Sequence, residues 1–220
     1  MKKFLLGPNG VLTASGKALS IDEVPSGYKK LQYISSAGTS AVDTLIKATA
    51  TDTIFMTFEL SNLSAGGDKF MVSCKAGYSG GGIWAETYGS TNKWYCRYGS
   101  SSSSNKDSSS DQLVGIHTLE LRKSYFGLDG TKILTLNYSS MPSTTVNFVG
   151  RMPASGNAVS TGFRGKVFDT QIVNSSGDKI WWGIPVLEIA SNKAGLYDLV
   201  SDTFFKSDSS VDFTAGPELI

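Results

Sequence analysis

The sequence predicts an all-β fold, a two-sheet antiparallel sandwich or jelly roll. Serine, threonine and glycine make up about a third of the 220 residues, which is typical of strands joined by tight turns. Polar and apolar residues alternate along stretches such as Thr53–Leu60 and Val167–Val173, as expected for strands with one buried face. No window repeats apolar residues at a helical period over three turns, so helices are not predicted.

Clusters of Gly, Ser, Asn or Asp bound the predicted strands, in chain order. They are Lys30–Ile34, Ala41–Ala48, Thr53–Leu60, Lys69–Lys75, Gly82–Thr87, Lys93–Tyr98, Gly115–Lys123, Lys132–Asn137, Thr144–Gly150, Gly162–Val173, Lys179–Ile184, Gly195–Leu199 and Thr203–Lys206. The serine-rich stretch Ser100–Ser110 interrupts this series and is predicted to be a mobile loop, because it has no apolar surface to bury.

Charge and hydropathy exclude several classes of partner. Lys and Arg number 20 against 19 Asp and Glu, a net charge of +1, which does not favour nucleic acid. No run of about 18 apolar residues occurs, so membrane insertion is not predicted either. The opening residues, Met1–Pro8, imitate a secretory signal but contain too short an apolar run, and we expect a mature N-terminus.

Residues 1–27 differ from the rest and are predicted to form an N-terminal arm ahead of a single domain over residues 28–220. Turn signals at Gly7–Gly10 and Ser15–Gly16 separate short apolar pieces, and Pro25–Gly27 closes the segment. Such an arm packs on the same chain, on another copy or on a partner surface.

Catalytic and metal chemistry find little support. His117 is the only histidine, and its setting on a predicted strand favours a structural hydrogen bond. Without C-x-x-C, H-x-x-x-H or G-x-S-x-G spacing, we expect no metal, no cofactor and no catalytic residue. Cys74 and Cys96 lie on separate predicted strands, which neighbouring positions in a sheet would bring together, and we expect both thiols to be reduced and half-buried.

An aromatic group around the predicted strands Gly82–Thr87 and Lys93–Tyr98 points to sugar recognition. Exposed aromatic rings stack on the apolar faces of sugar rings, while nearby polar groups bind their hydroxyls. The alternative is that half of these rings face the core, as strand alternation demands. The glycan-binding candidates are Trp84, Tyr88, Trp94 and Tyr95.

Three blocks of sequence resemble one known family. The first is Tyr28–Thr39 followed by Val42–Thr44, and the second is His117–Leu121 with Leu128–Gly130. The third block comprises Gly165–Phe168, Gly195–Val200, Phe204, Phe205 and Phe213–Glu218. Together they resemble the concanavalin A-like, laminin-G-like jelly-roll domains of phage and prophage virion proteins. Leu45 departs from the pattern, because the family tends to have glycine there.

This resemblance implies a phage virion structural protein, a head or tail fibre or decoration, that displays a lectin-like jelly roll for glycan adhesion. It also implies a location on the virion, assembled in the host cytoplasm, with capsid or tail proteins as partners and a homo-oligomeric state. The arm would then attach the domain to the particle through Phe4, Leu5, Leu6, Val11 and Leu12. The alternatives are a glycan depolymerase with Glu86 among its acids, and a bacterial surface adhesin on the same fold.

Overall fold

The computed structural model describes residues 24–61, 69–74, 82–88, 93–99, 104–106, 114–138, 140, 145–150 and 162–219. The predicted all-β, two-sheet antiparallel jelly-roll sandwich is confirmed, with seventeen strands in this part of the chain. None of the described residues forms a helix long and apolar enough to cross a membrane. The strands are β1 (Tyr28–Lys30), β2 (Ile34–Ala37), β3 (Val42–Lys47), β4 (Thr53–Leu60), β5 (Lys69–Cys74), β6 (Gly82–Tyr88), β7 (Lys93–Gly99), β8 (Ser104–Lys106), β9 (Ile116–Arg122), β10 (Tyr125–Leu128), β11 (Thr131–Thr135), β12 (Thr145–Phe148), β13 (Arg164–Val173), β14 (Lys179–Glu188), β15 (Lys193–Asp198), β16 (Thr203–Phe205) and β17 (Thr214–Ala215).

The strands form a larger and a smaller sheet. The larger sheet runs β11-β10-β9-β4-β13-β14-β15-β16, with β1, β2 and β17 attached to it, and the smaller sheet runs β3-β12-β5-β6-β7-β8. Alternating apolar residues from both sheets meet in one core, where the Phe148 and Trp181 rings from opposite sheets stack at 6.3 Å between centroids. The hydrophobic burial that drives folding is therefore concentrated between the sheets.

A bent segment at the start of the domain joins β13 to β14. β1 pairs with β14 at Val186–Glu188, the chain turns, and β2 pairs with β13 at Arg164–Val167. Residues 214–219 follow the same segment from Ser35 back to Lys30, through β17 and hydrogen bonds such as Gln32 N–H to the Pro217 carbonyl at 2.8 Å. Both ends of the domain are thereby held in one hydrogen-bonded assembly.

Pro185 lies inside this assembly and not at a sheet margin. It sits in β14 between the residues that pair with β13 and those that pair with β1. Proline lacks an N–H donor. At the point where β14 passes from pairing with β13 to pairing with β1, the loss of one backbone hydrogen bond destabilises the sheet least. Its carbonyl still accepts a hydrogen bond from Leu31 N–H at 3.0 Å.

A second apolar cluster covers the other face of the larger sheet. Trp181 and Trp182 are consecutive in β14, so Trp181 enters the main core while Trp182 joins Ile184, Val186, Tyr197 and Leu199 on the opposite face. Val24 and Tyr28 pack against this second cluster. Residues 24–27 therefore contact the domain, whereas the remainder of the predicted arm, including Phe4, Leu5, Leu6, Val11 and Leu12, lies outside the described residues.

The serine-rich stretch is not entirely loop. Ser104–Lys106 pairs with Trp94–Cys96 of β7 and forms the edge strand of the smaller sheet. Backbone hydrogen bonding, which does not depend on an apolar side chain, explains how a polar segment can extend a sheet.

His117 has the structural role predicted for it. Its Nδ1 lies 2.6 Å from Oδ2 of Asp129 and its Nε2 lies 3.0 Å from the Val114 carbonyl. Asp129 also accepts from Thr118 N–H at 2.8 Å, so the histidine fixes the turn between β10 and β11.

Both thiols are free, as expected, and both are buried more deeply than the half-buried state expected from the sequence. Cys74 and Cys96 share the smaller sheet, but they are not on neighbouring strands, because β6 lies between β5 and β7. Burial raises the pKa of Cys96, and the nearby charge of Glu86 raises it further, so this thiol stays protonated.

The strand β3 contains a bulge centred on Leu45. Asp43 pairs with Asn147 and Lys47 with Thr145, so three residues of β3 oppose one of β12. Leu45 has φ of 61° and is 68% exposed, which places an unsupported leucine in the left-handed region. Glycine, which the resembling family tends to have here, would adopt this positive φ without the strain that a Cβ atom causes.

Replacing Leu45 by glycine is expected to stabilise the protein. Leu45→Gly removes the left-handed strain and should raise the free energy of unfolding by about 1 kcal/mol. Leu45→Ala, which keeps a Cβ, is the control and should change stability much less. Urea unfolding of the three proteins tests this, and a glycine variant less stable than the alanine variant would contradict it.

Asp169 is the carboxylate whose pKa the fold changes most clearly among the described acids. It accepts from Trp182 Nε1 at 2.7 Å and from Gln171 Nε2 at 2.6 Å. The Lys179 Nζ lies 3.1 Å from the centroid of the Trp182 ring. Burial nevertheless dominates and raises the pKa of Asp169 to about 6, while it lowers the pKa of Lys179.

Stability should therefore depend on pH through Asp169. Between its unfolded pKa of 3.8 and about 6, folded Asp169 holds a proton that the unfolded chain has released. Its contribution to the free energy of unfolding is greatest below about pH 4 and falls as pH rises through 6, by about 2 kcal/mol. Comparing urea unfolding of wild type and Asp169→Asn from pH 4 to 7.5 isolates this group. A stability difference that is constant, or that grows in favour of wild type as pH rises, would refute the assignment.

Candidate ligand-binding face

The smaller sheet carries polar and aromatic residues on the face turned away from the core. Strand alternation separates the two sides: Ile83, Ala85 and Cys96 belong to the core, whereas Glu86 and Tyr95 are a cross-strand pair on the other side. We call this side, defined by the positions in register with Glu86 and Asn147, the outer face.

The first row of the outer face is centred on Glu86. Phe70 of β5, Glu86 of β6, Tyr95 of β7 and Asn105 of β8 are in register across four strands. Glu86 has no exposed surface, whereas Tyr95 is partly exposed. Positions 84 and 88 lie two residues on either side of Glu86 in β6 and so share its face.

A second row lies toward the other edge of the sheet. Asp43 of β3 pairs with Asn147 of β12, which pairs with Ser73 of β5. Position 84 of β6 pairs with Arg97 of β7, and the register of β5 with β6 places Ser73 beside position 84. The row therefore crosses five strands, with Asp43, Asn147 and Ser73 all buried.

The structure divides the four predicted glycan-binding candidates. Tyr95 lies on the outer face, and the backbone register assigns positions 84 and 88 to the same face. Trp94 does not belong with them: it is fully buried, and its ring packs 4.9 Å from that of Phe126. The prediction that Trp94 binds glycan is therefore wrong. Trp94 is a core residue, because the alternation along β7 directs its side chain to the opposite side from Tyr95.

Sequence reasoning missed Asp43, Ser73 and Asn147. These small polar residues are common throughout the chain; Asp43 lies in the block Val42–Thr44, to which the resemblance gives no ligand role, and no motif marks Ser73 or Asn147. The one available signal is alternation in the predicted strand Thr144–Gly150, where Asn147 separates the apolar residues Val146 and Phe148.

The outer face suits recognition of neutral, hydroxyl-rich molecules. Tyr95 and Arg97 are partly exposed there, and the amide of Asn147, the hydroxyl of Ser73 and the carboxylates of Asp43 and Glu86 are buried beneath the same face. Among the described residues, no group of three His, Cys, Asp or Glu side chains is placed to hold a metal ion. The two described acids on this face, Asp43 and Glu86, are three strand spacings apart, roughly 14 Å.

Comparisons with known proteins identify structural similarity only. The sequence matches no protein-family profile and no curated protein. Similar solved structures include domains LG4-5 of the mouse laminin alpha1 chain, at 9% identity and a TM-score of 0.43, covering 80% of this chain and 47% of that one. Another is the native heptameric SAP-like pentraxin from Limulus polyphemus, at 9% identity and a TM-score of 0.44, covering 86% and 94%. The chain thus spans about half the length of the laminin chain it matches.

Proposed function

We propose that this protein is a glycan-binding jelly-roll domain of a phage virion, a head or tail fibre or decoration that binds without hydrolysing its ligand. The observation that carries the glycan-binding proposal is the Glu86 row, in which the partly exposed Tyr95 lies opposite a buried carboxylate. A sugar ring stacks on such a ring while a carboxylate accepts its hydroxyls.

The distribution of carboxylates favours binding over hydrolysis. Glycoside hydrolysis uses two acids about 5 to 9.5 Å apart. On the outer face, the described residues place Asp43 and Glu86 at a larger separation, with β12 and β5 between them. The depolymerase alternative would need a second acid from elsewhere in the chain.

The virion role rests on the sequence resemblance over residues 28–220 and on the geometry of display. Val24 and Tyr28 lie on the second cluster, on the outward side of the larger sheet. The Glu86 row lies on the outward side of the smaller sheet. An arm that attaches to the particle would therefore start on the opposite side of the sandwich from the glycan-binding face. A homo-oligomer would raise the overall affinity by presenting several weak binding sites at once.

Removal of the Tyr95 ring should weaken glycan binding. Tyr95→Ala is expected to reduce affinity at least about tenfold on an array of neutral hexose and N-acetylhexosamine oligosaccharides of one to six units, because ring stacking is lost. Tyr125→Ala is the matched control. Tyr125 is also partly exposed, but it lies on the larger sheet, where its hydroxyl donates to Glu120. Equal losses in both variants, or no binding by wild type, would contradict the proposal.

Deletion of residues 1–23 should separate folding from attachment. The truncated protein keeps Val24 and Tyr28 on the second cluster and is expected to remain folded by circular dichroism. It should fail to join particles in an assembly reaction, whereas Tyr95→Ala should join normally. Full incorporation of the truncated protein would refute attachment through the arm, and retention of the full chain on bacterial cells instead of particles would favour the adhesin alternative.

A further inference from the structure

Asn147 is a buried amide without a hydrogen-bond partner on the outer face. It has no exposed surface, and neither its Nδ2 nor its Oδ1 is bonded to any described residue. Thr145 Oγ1, two residues away on the same side of β12, is also buried and lacks a partner among the described groups. Buried polar side chains are nearly always hydrogen-bonded, so two such groups on one strand face require an explanation.

The neighbours of Asn147 are committed to other partners. Ser73 Oγ donates to the Gly150 carbonyl at 2.7 Å, and Asp43 Oδ1 accepts from Leu45 N–H at 3.0 Å. These bonds fix the two flanking side chains to their own turn and bulge. The amide of Asn147 is left with one donor group and one acceptor group that the fold does not use.

The unused amide reduces folding stability, because its contacts with water are lost and not replaced. A hydrophobic residue would suit the buried position better. The pairing of β12 is maintained by its backbone, so an amide is not needed for the sheet. The chemistry of the side chain points to a partner from outside the chain.

We infer that Asn147 hydrogen-bonds the hydroxyl groups of a neutral oligosaccharide that lies across the strands of the smaller sheet. This inference rests on the proposed glycan-binding function. A sugar hydroxyl donates and accepts, and therefore complements both atoms of the amide. Asn147 is three strand spacings from the strand of Tyr95, roughly 14 Å, so one sugar ring cannot contact both residues. The ligand is therefore at least a disaccharide, and because Asn147 has no exposed surface, the groups that bury it must move to admit the ligand.

Replacing Asn147 by leucine should raise stability and weaken binding together. Asn147→Leu keeps the size of the side chain and removes the unused polar atoms, and we expect the Tm to rise by about 2 to 5 °C. Affinity for the oligosaccharide selected by wild type on the array should fall at least about tenfold, because its hydroxyls lose their partner. Titration with shorter members of that series should show the monosaccharide binding at least about tenfold more weakly.

Thr170→Val is the control for a buried polar group that is already satisfied. Thr170 Oγ1 donates to the Gly183 carbonyl at 3.1 Å and accepts from Trp181 Nε1 at 2.9 Å. This variant should lower the Tm and leave glycan affinity unchanged. A lower Tm in Asn147→Leu, or an unchanged affinity, would overturn the role of Asn147 alone. Absence of glycan binding by wild type would overturn it together with the proposed function.

Discussion

The bent segment formed by β1 and β2 is the constraint on which the rest of the sandwich depends. It is bonded to β14 on one part of its length and to β13 on the next, and residues 214–219 are bonded along it. The long strands β13 and β14 carry residues of both apolar clusters, including Val167, Trp181 and Trp182. A short stretch of backbone pairing, distant in sequence from its partners, therefore holds the two clusters in place, and its contacts form only after a long loop has closed.

The outer face follows from the same alternation that builds the core. Core residues of β6 and β7 alternate with residues directed to the other side, so the core positions of Ala85 and Trp94 determine where Glu86 and Tyr95 lie. Glu86 is buried although it faces away from the core. A face of this kind combines fixed strand geometry with buried polar groups, which favours specificity over strength of binding.

The sequence predicted the sandwich better than it predicted the candidate site. Alternation and turn residues located most strands, including Thr53–Leu60, whose predicted and observed bounds are the same. The single predicted strand Lys30–Ile34 overlaps β1 and β2 only at its two ends, and β10 and β17 were not predicted, because their apolar patterns are brief. Ser104–Lys106 was assigned to a loop because its pairing with β7 involves backbone alone. Trp94 and Tyr95 are adjacent aromatics, and without the register of β7 nothing in the sequence distinguishes the buried ring from the exposed one.

The bulge at Leu45 also bears on aggregation. β3 is an edge strand of the smaller sheet, and a regular edge offers unpaired backbone groups to the edge of another molecule. Thr44 Oγ1 donates to the Val146 carbonyl at 2.8 Å and accepts from Ile46 N–H at 3.1 Å, so its hydroxyl maintains the bulge. The extra residues disturb the even spacing that strand addition requires. The strained leucine therefore belongs to an edge that resists uncontrolled self-association.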